Sequence, residues 1–290
     1  MKRRALLHGA FASVAWAALG CNHAAVRAGK RRIVSLSPAV TETLFAIGAE
    51  ADVVGVSDYC NYPEAANQLP RNGSSLTPNY EAIVRLSPTL VVCEAAASTP
   101  TRELSALGVT RFVPWLTLED IVASTRLLGA LTDRAEAAGA LATKLWDGLA
   151  VAESKDGPRV LVVLGEGTGK LSEIYYIKQN SIHGAALRAS GARNAVATDV
   201  VGTPRLSVEE LLRLDPDGII VLIAPGPNAP TAAQVVHDYQ ALEPLTARKN
   251  NRISVLKSDE AFGDGPRVLT LAEHLRHEVQ RLFPNAPSAH

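Results

Sequence analysis

The feature that most constrains this chain is that it is written twice. Residues 79–92, NYEAIVRLSPTLVV, are echoed by residues 207–220, SVEELLRLDPDGII. Each copy opens on a residue that can cap a helix and carries a Glu in the first turn. An apolar pair, Arg-Leu and a helix-stopping Pro follow, and the copy ends in β-branched residues with strand character. The parallel extends upstream. Arg32–Leu36 corresponds to Arg159–Leu164 as a strand, and the helix end Leu44–Ala49 corresponds to Leu187–Ala192. Further strands are expected at Val53–Val56, Arg111–Val113 and Ile253–Leu256. Strands alternating with helices at these distances imply parallel sheets with right-handed crossovers. The expected fold class is therefore α/β: two three-layer lobes with mainly parallel sheets, related by duplication, each opening its binding edge where strands end.

The chain between the copies is of another kind. Thr132 to Ser154 contains no Pro and is rich in Ala, Leu, Glu and Lys, with Ala138, Leu141, Leu145 and Leu149 at helical spacing. This predicts one long helix over 132–155, ended by the Asp156-Gly157-Pro158 flank, about 30 Å in length and able to join the lobes. A single packed helix resists bending, so little closure of the cleft is expected. The organisation that follows is a signal peptide at 1–20, a tether at 21–30, an N-terminal lobe at 31–131, the connecting helix at 132–155 and a C-terminal lobe at 156–290.

Lys2, Arg3 and Arg4 precede an apolar stretch from Ala5 to Leu19. That pattern reads as an export signal, being too short for a span that needs roughly 20 apolar residues. Ala18-Leu19-Gly20-Cys21 resembles a bacterial lipobox, which makes Cys21 the candidate lipidation site and places the protein in the periplasm or on the outer face of the cell membrane. Export by a Sec or a twin-arginine signal are both open. Cys60 and Cys93 then remain; they form either a disulfide or two separate buried thiols.

Several stretches are more specific. Residues 33–42 read IVSLSPAVTE, residues 54–63 read VGVSDYCNYP and residues 80–88 read YEAIVRLSP, with Ser258-Asp259 and Gly265-Pro266-Arg267 near the end. Across about Arg31 to Phe283 the chain resembles the helical-backbone class of periplasmic solute-binding proteins, which serve ABC importers of cobalamin, haem and ferric siderophores, and it is most similar to the cobalamin-binding branch. The resemblance implies a small ligand, a corrinoid or alternatively haem or a ferric chelate, held between the lobes and handed to a permease and ATPase complex. It implies that Glu81 and Glu209, which the repeat also pairs, dock the permease. Ser207 and Glu210 have capping-box spacing, which leaves Glu209 free. First-turn acids are also favoured by the helix dipole alone.

The loops after the strands supply the candidate ligand-binding set: Ser37, Tyr59, Glu94, Trp115, Tyr175, Tyr176, Asp259 and Phe262, with Tyr62 and Glu166 nearby. Tyr59 and Asp259 fall on pocket positions of the cobalamin binders, whereas the tryptophans of that branch are absent near Ser75, Glu94 and Thr203. Aromatic faces suit a wide planar ring. Glu94 and Glu166 each follow an apolar strand, which favours a rim position over a solvated turn. Tyr62 and Trp115 fit a pocket or the core equally well, and the adjacent Tyr175 and Tyr176 imply at least one ring in the cleft. His183 is open as an axial ligand or as a satisfied helix-start residue. No bare-metal site is expected, since about three or four convergent ligands would be needed. No cofactor is implied.

Other classes are disfavoured. Lys plus Arg and Asp plus Glu each number 29, without a basic stripe, so no nucleic-acid partner is expected. The glycine-rich run after Val160–Leu164 has Lys170 where a dinucleotide fingerprint needs Gly and Leu171 where a phosphate loop needs Ser or Thr. No Gly-x-Ser-x-Gly elbow occurs, and the chain reads as a carrier rather than an enzyme. A surface sensor on the same scaffold is the remaining alternative. Nothing calls for a second copy, so a monomer is expected, its membrane contact made through the lipid alone.

Overall fold

The structure, a computed structural model, describes residues 30–165, 171 and 173–286. The expected export signal, Cys21 and Glu166 lie outside the described residues.

The first half forms β1 (Ile33–Ser35), α1 (Pro38–Ala46), β2 (Val53–Val56), α2 (Tyr80–Arg85), β3 (Leu90–Glu94), α3 (Thr101–Ser105) and β4 (Thr110–Val113). Its strands pair in parallel in the order β2-β1-β3-β4. Two helices follow, α4 (Leu118–Thr132) and α5 (Ala135–Leu149). The second half runs β5 (Arg159–Leu164), β6 (Ile174–Tyr175), α6 (Ile182–Ala189), β7 (Arg193–Asn194), β8 (Arg205–Leu206), α7 (Val208–Leu214), β9 (Gly218–Ile223), α8 (Ala232–Gln240), α9 (Thr246–Lys249), β10 (Ile253–Lys257) and α10 (Val268–Leu282). Its parallel sheet reads β10-β9-β5-β7, and β6 pairs antiparallel with β8 at one side. Reading that order from β7 gives second, first, third, fourth, the same order as in the first lobe. The duplication therefore holds at the level of topology.

The duplicated segments fold alike. The Asn79 side chain accepts from Ala82 N at 3.0 Å to start α2. At the start of α7, Ser207 Oγ accepts from Glu210 N at 3.2 Å while Ser207 N donates to the Glu210 carboxylate at 2.7 Å, a complete capping box. Each helix then leads into a central strand, β3 or β9.

The connecting helix differs from the expectation over 132–155. Asp133 takes a left-handed conformation, with φ of 55°, and breaks the chain between α4 and α5, so helix resumes only at Ala135 and ends at Leu149. A short polar side chain such as Asp tolerates this region at little cost, and Arg31 pairs with its carboxylate. The expected helix is thus present as the shorter α5, and it packs against α4 as a hairpin. They approach so closely that a Cβ built on Gly129 would lie 2.2 Å from Ala138 Cβ. Ala138, Ala142, Leu145 and Leu149 face inward from α5. They join a continuous core that runs from β1 and α1 through α4 and α5 to α6 and α10.

Cys60 and Cys93 are both buried and free, which removes the disulfide alternative. Thr41 Oγ1 lies 3.1 Å from Cys60 Sγ. Burial pushes the Cys93 thiol up to about 12, so it is inert as a nucleophile.

Candidate functional site at the lobe junction

In a sheet ordered second, first, third, fourth, the connections leave the first and third strands in opposite directions, and a crevice opens beyond their C-terminal ends. In the first lobe that switch point falls between β1 and β3, at Ser37, two residues past β1, and Glu94, the last residue of β3. Ser37 Oγ caps α1, accepting from Val40 N at 3.5 Å, and donates to Glu94 Oε2 at 3.1 Å. Burial raises the pKa of Glu94, and the Ser37 hydroxyl works against that rise. In the second lobe the corresponding switch point falls between β5 and β9.

The lobes meet where residues 264–267 reach across to the first lobe. Trp115 Nε1 donates to the Asp264 carbonyl oxygen at 2.9 Å. Arg267 donates through Nε at 3.0 Å and Nη2 at 2.7 Å to the two carboxylate oxygens of the buried Glu42. The guanidinium also lies over the Tyr62 ring, 4.1 Å from its centroid, with Nη1 3.6 Å from Glu260. Between these contacts Gly265 packs against α1, where a Cβ would lie 2.8 Å from Glu42 Oε2. Burial first, then the charges of Glu94 and Glu42, push the Asp264 carboxyl up to about 7. One guanidinium thus faces two carboxyl groups, Glu42 and Glu260. A further inter-lobe bond runs from Ile182 N at the start of α6 to Leu116 O, 2.9 Å.

The expected ligand-binding residues separate by exposure. Tyr59 is 68% exposed, Tyr62 48% and Phe262 45%. Asp259 is exposed just past the end of β10. Tyr175 is partly exposed, its hydroxyl donating to Glu173 at 3.0 Å. Trp115, at 4%, and Tyr176, at 6%, present no open ring face. Trp115 packs in the core at the junction, where its indole bond holds it, and Tyr176 packs in the core of the second lobe, while its neighbour Tyr175 stays partly exposed. Glu81 and Glu209 are both exposed at first helical turns, and Glu81 pairs with Arg85 at 2.7 Å.

His183 is partly buried in the first turn of α6, with Nε2 shut off from solvent and without a hydrogen-bond partner among the described residues. Burial lowers its pKa to about 4, so the ring is neutral at pH 7. Among the described residues no group of three or more His, Cys, Asp or Glu converges as a metal site would.

Sequence reasoning missed the roles of Glu42, Asp264 and Arg267. The available signal was one Glu inside the otherwise apolar and small stretch that becomes α1, because a carboxylate there needs a buried cation.

The family described as periplasmic binding protein matches residues 33–260. A cobalamin-binding protein of Halobacterium salinarum is 28% identical over 252 residues, covering 82% of this chain; the chain spans 66% of that relative's length. A vitamin B12-binding protein of Pectobacterium carotovorum is 26% identical over 266 residues, covering 89% of this chain and 92% of the other. Among solved structures, the periplasmic vitamin B12 binding protein of Vibrio cholerae superposes with a TM-score of 0.69 at 24% identity, covering 87% of this chain and 97% of that one. A periplasmic heme binding protein from Pseudomonas aeruginosa also gives 0.69 at 24% identity, covering 89% and 94%.

Proposed function

The chain belongs to the periplasmic binding protein family, and on that footing we propose that it captures cobalamin or a related corrinoid between its lobes and delivers it to the permease of an ABC importer. The carrying observation is the exposure of Tyr59, Tyr62 and Phe262 on segments that leave strand ends or flank the lobe junction. Large rings left in water are normal singly, but several around one crevice fit a wide apolar partner. The names of the halobacterial and Pectobacterium relatives support a corrinoid over other planar chelates. Ser37, Glu94, Asp259 and Tyr175 supply polar contacts around such a ring. The family's members are binding proteins, and the chain acts by capture and release rather than by turnover. Glu81 and Glu209 dock the permease, and a lipid on Cys21 tethers the protein beside it.

The test is thermal unfolding of the purified protein with cyanocobalamin, haem and a ferric hydroxamate. A ligand present at 100 times its Kd stabilises the folded state by about 2.7 kcal/mol. We expect a clear rise in Tm with cyanocobalamin, lost in Tyr59→Ala. A rise with haem alone assigns the cleft to porphyrin, and a rise with the ferric chelate alone to a siderophore.

A further inference from the structure

We propose that Arg267 is a positioning residue that latches the two lobes at one angle and, through its other face, holds Tyr62 in place at the edge of the cleft. Arg267 belongs to the second lobe, but its strongest partners belong to the first. The guanidinium edge gives two donors to Glu42, at 3.0 and 2.7 Å, and its flat face covers the Tyr62 ring at 4.1 Å. Glu42 and Arg267 are 225 residues apart in the chain.

The chemistry requires Arg. A planar fork can bond a carboxylate at two points while stacking on a ring, whereas an ammonium is a point charge and cannot hold both orientations. The Glu42 carboxylate raises the pKa of the guanidinium, which keeps it charged. A buried pair adds little net stability over apolar residues of equal size, but it fixes geometry, because either partner left alone is a buried charge. Three features around the pair act in the same sense. Gly265 has no side chain to hold α1 away, Trp115 bonds the Asp264 carbonyl, and Glu260 lies 3.6 Å from the outer nitrogen of the fork. The segment 264–267 is thereby clasped by α1, Trp115 and Tyr62, all from the first lobe. This device is separate from the helical connection and sets the lobe angle before any ligand arrives.

The consequence for binding rests on the cleft reading above. Tyr62 is 48% exposed, so the side of the ring away from Arg267 is available to a ligand. Loss of the latch then frees both the lobe angle and the ring.

The experiment places spin labels on Glu64→Cys in the first lobe and Glu243→Cys in the second, leaving the buried Cys60 and Cys93 in place, and measures the distance distribution between them. The variants are Arg267→Lys, Glu42→Gln and the double change Glu42→Met with Arg267→Met, each checked for folding by circular dichroism. The double variant leaves no lone charge and is expected to fold. The expected result is a distribution that broadens in all three relative to the parent. Release of cyanocobalamin, followed by stopped flow, should be about tenfold faster in Arg267→Lys, equivalent to 1.4 kcal/mol. A distribution unchanged in Arg267→Lys and in the double variant overturns the proposal. Loss of folding in all three overturns it too, by making the pair a stability element. The distance measurement needs no ligand, so the latch is decided even if cyanocobalamin does not bind. In that case only the corrinoid reading fails.

Discussion

Ser37 Oγ lies 3.1 Å from Glu94 Oε2, tying the chain that leaves β1 to the end of β3 at the point where the first sheet opens. The hydroxyl supplies a donor to a carboxyl group whose pKa burial raises. Replacing it by Ser37→Ala should raise the pKa of Glu94 further, read from the side-chain carbon shifts across a pH series. The lost bond should cost about 1–2 kcal/mol in chemical unfolding at pH 7. An unchanged titration would show that the bond does not tune the acid.

Asp264 makes stability depend on pH in an unusual direction. Its folded-state pKa of about 7 stands above the ordinary Asp value of about 3.9. Between these values the folded chain binds more protons than the unfolded one, so its contribution to stability falls as pH rises and levels off above about 7. His183 acts oppositely, because its folded pKa of about 4 lies below the ordinary value and its contribution is lost as pH falls from about 6.5 to 4. Asp264→Asn should therefore leave a stability that rises more steeply with pH between about 4 and 6.5 than in the parent. Urea midpoints at half-unit pH intervals give both slopes, and identical slopes would exclude Asp264 as the source.

Trp115→Phe keeps most of the ring but removes the donor to the Asp264 carbonyl at the junction. The unpaired oxygen and the small void together should cost about 1–3 kcal/mol in unfolding free energy. A loss below about 0.5 kcal/mol, within the range of ordinary surface changes, would mean water replaces the indole freely.

Glu81→Lys with Glu209→Lys should leave ligand affinity unchanged while abolishing stimulation of the reconstituted importer's ATPase. The Glu81–Arg85 pair is exposed and contributes only about 0.3–0.5 kcal/mol, so folding should be nearly unaffected. Full stimulation by the doubly reversed protein would refute the docking role.

Much of this architecture was legible in the sequence because it depends on local pattern. The apolar runs at Leu90–Glu94 and Gly218–Ile223, each preceded by a capped helix and a Pro, announced two equivalent central strands. The break at Asp133 was not legible: Thr132 to Ser154 has strong helix formers throughout, and the turn there is set by the packing of Gly129 on Ala138 and the pairing of Asp133 with Arg31. The same limit explains Trp115 and Tyr176, since an aromatic after a strand looks alike whether its ring faces a cleft or a core. Tyr59 and Phe262, expected to bind the ligand, are exposed rings. The junction of Glu42 with Arg267 joins distant segments, and no spacing rule reaches that far.

The bare Cα of Gly265 has a practical consequence. Because the gap between it and α1 is smaller than one methyl group, the set of the lobes can be graded by a single inserted carbon at a spot remote in the chain from both Glu81 and Glu209. Successively larger residues there would act as shims of known thickness, turning one binding protein into a series with stepped affinity.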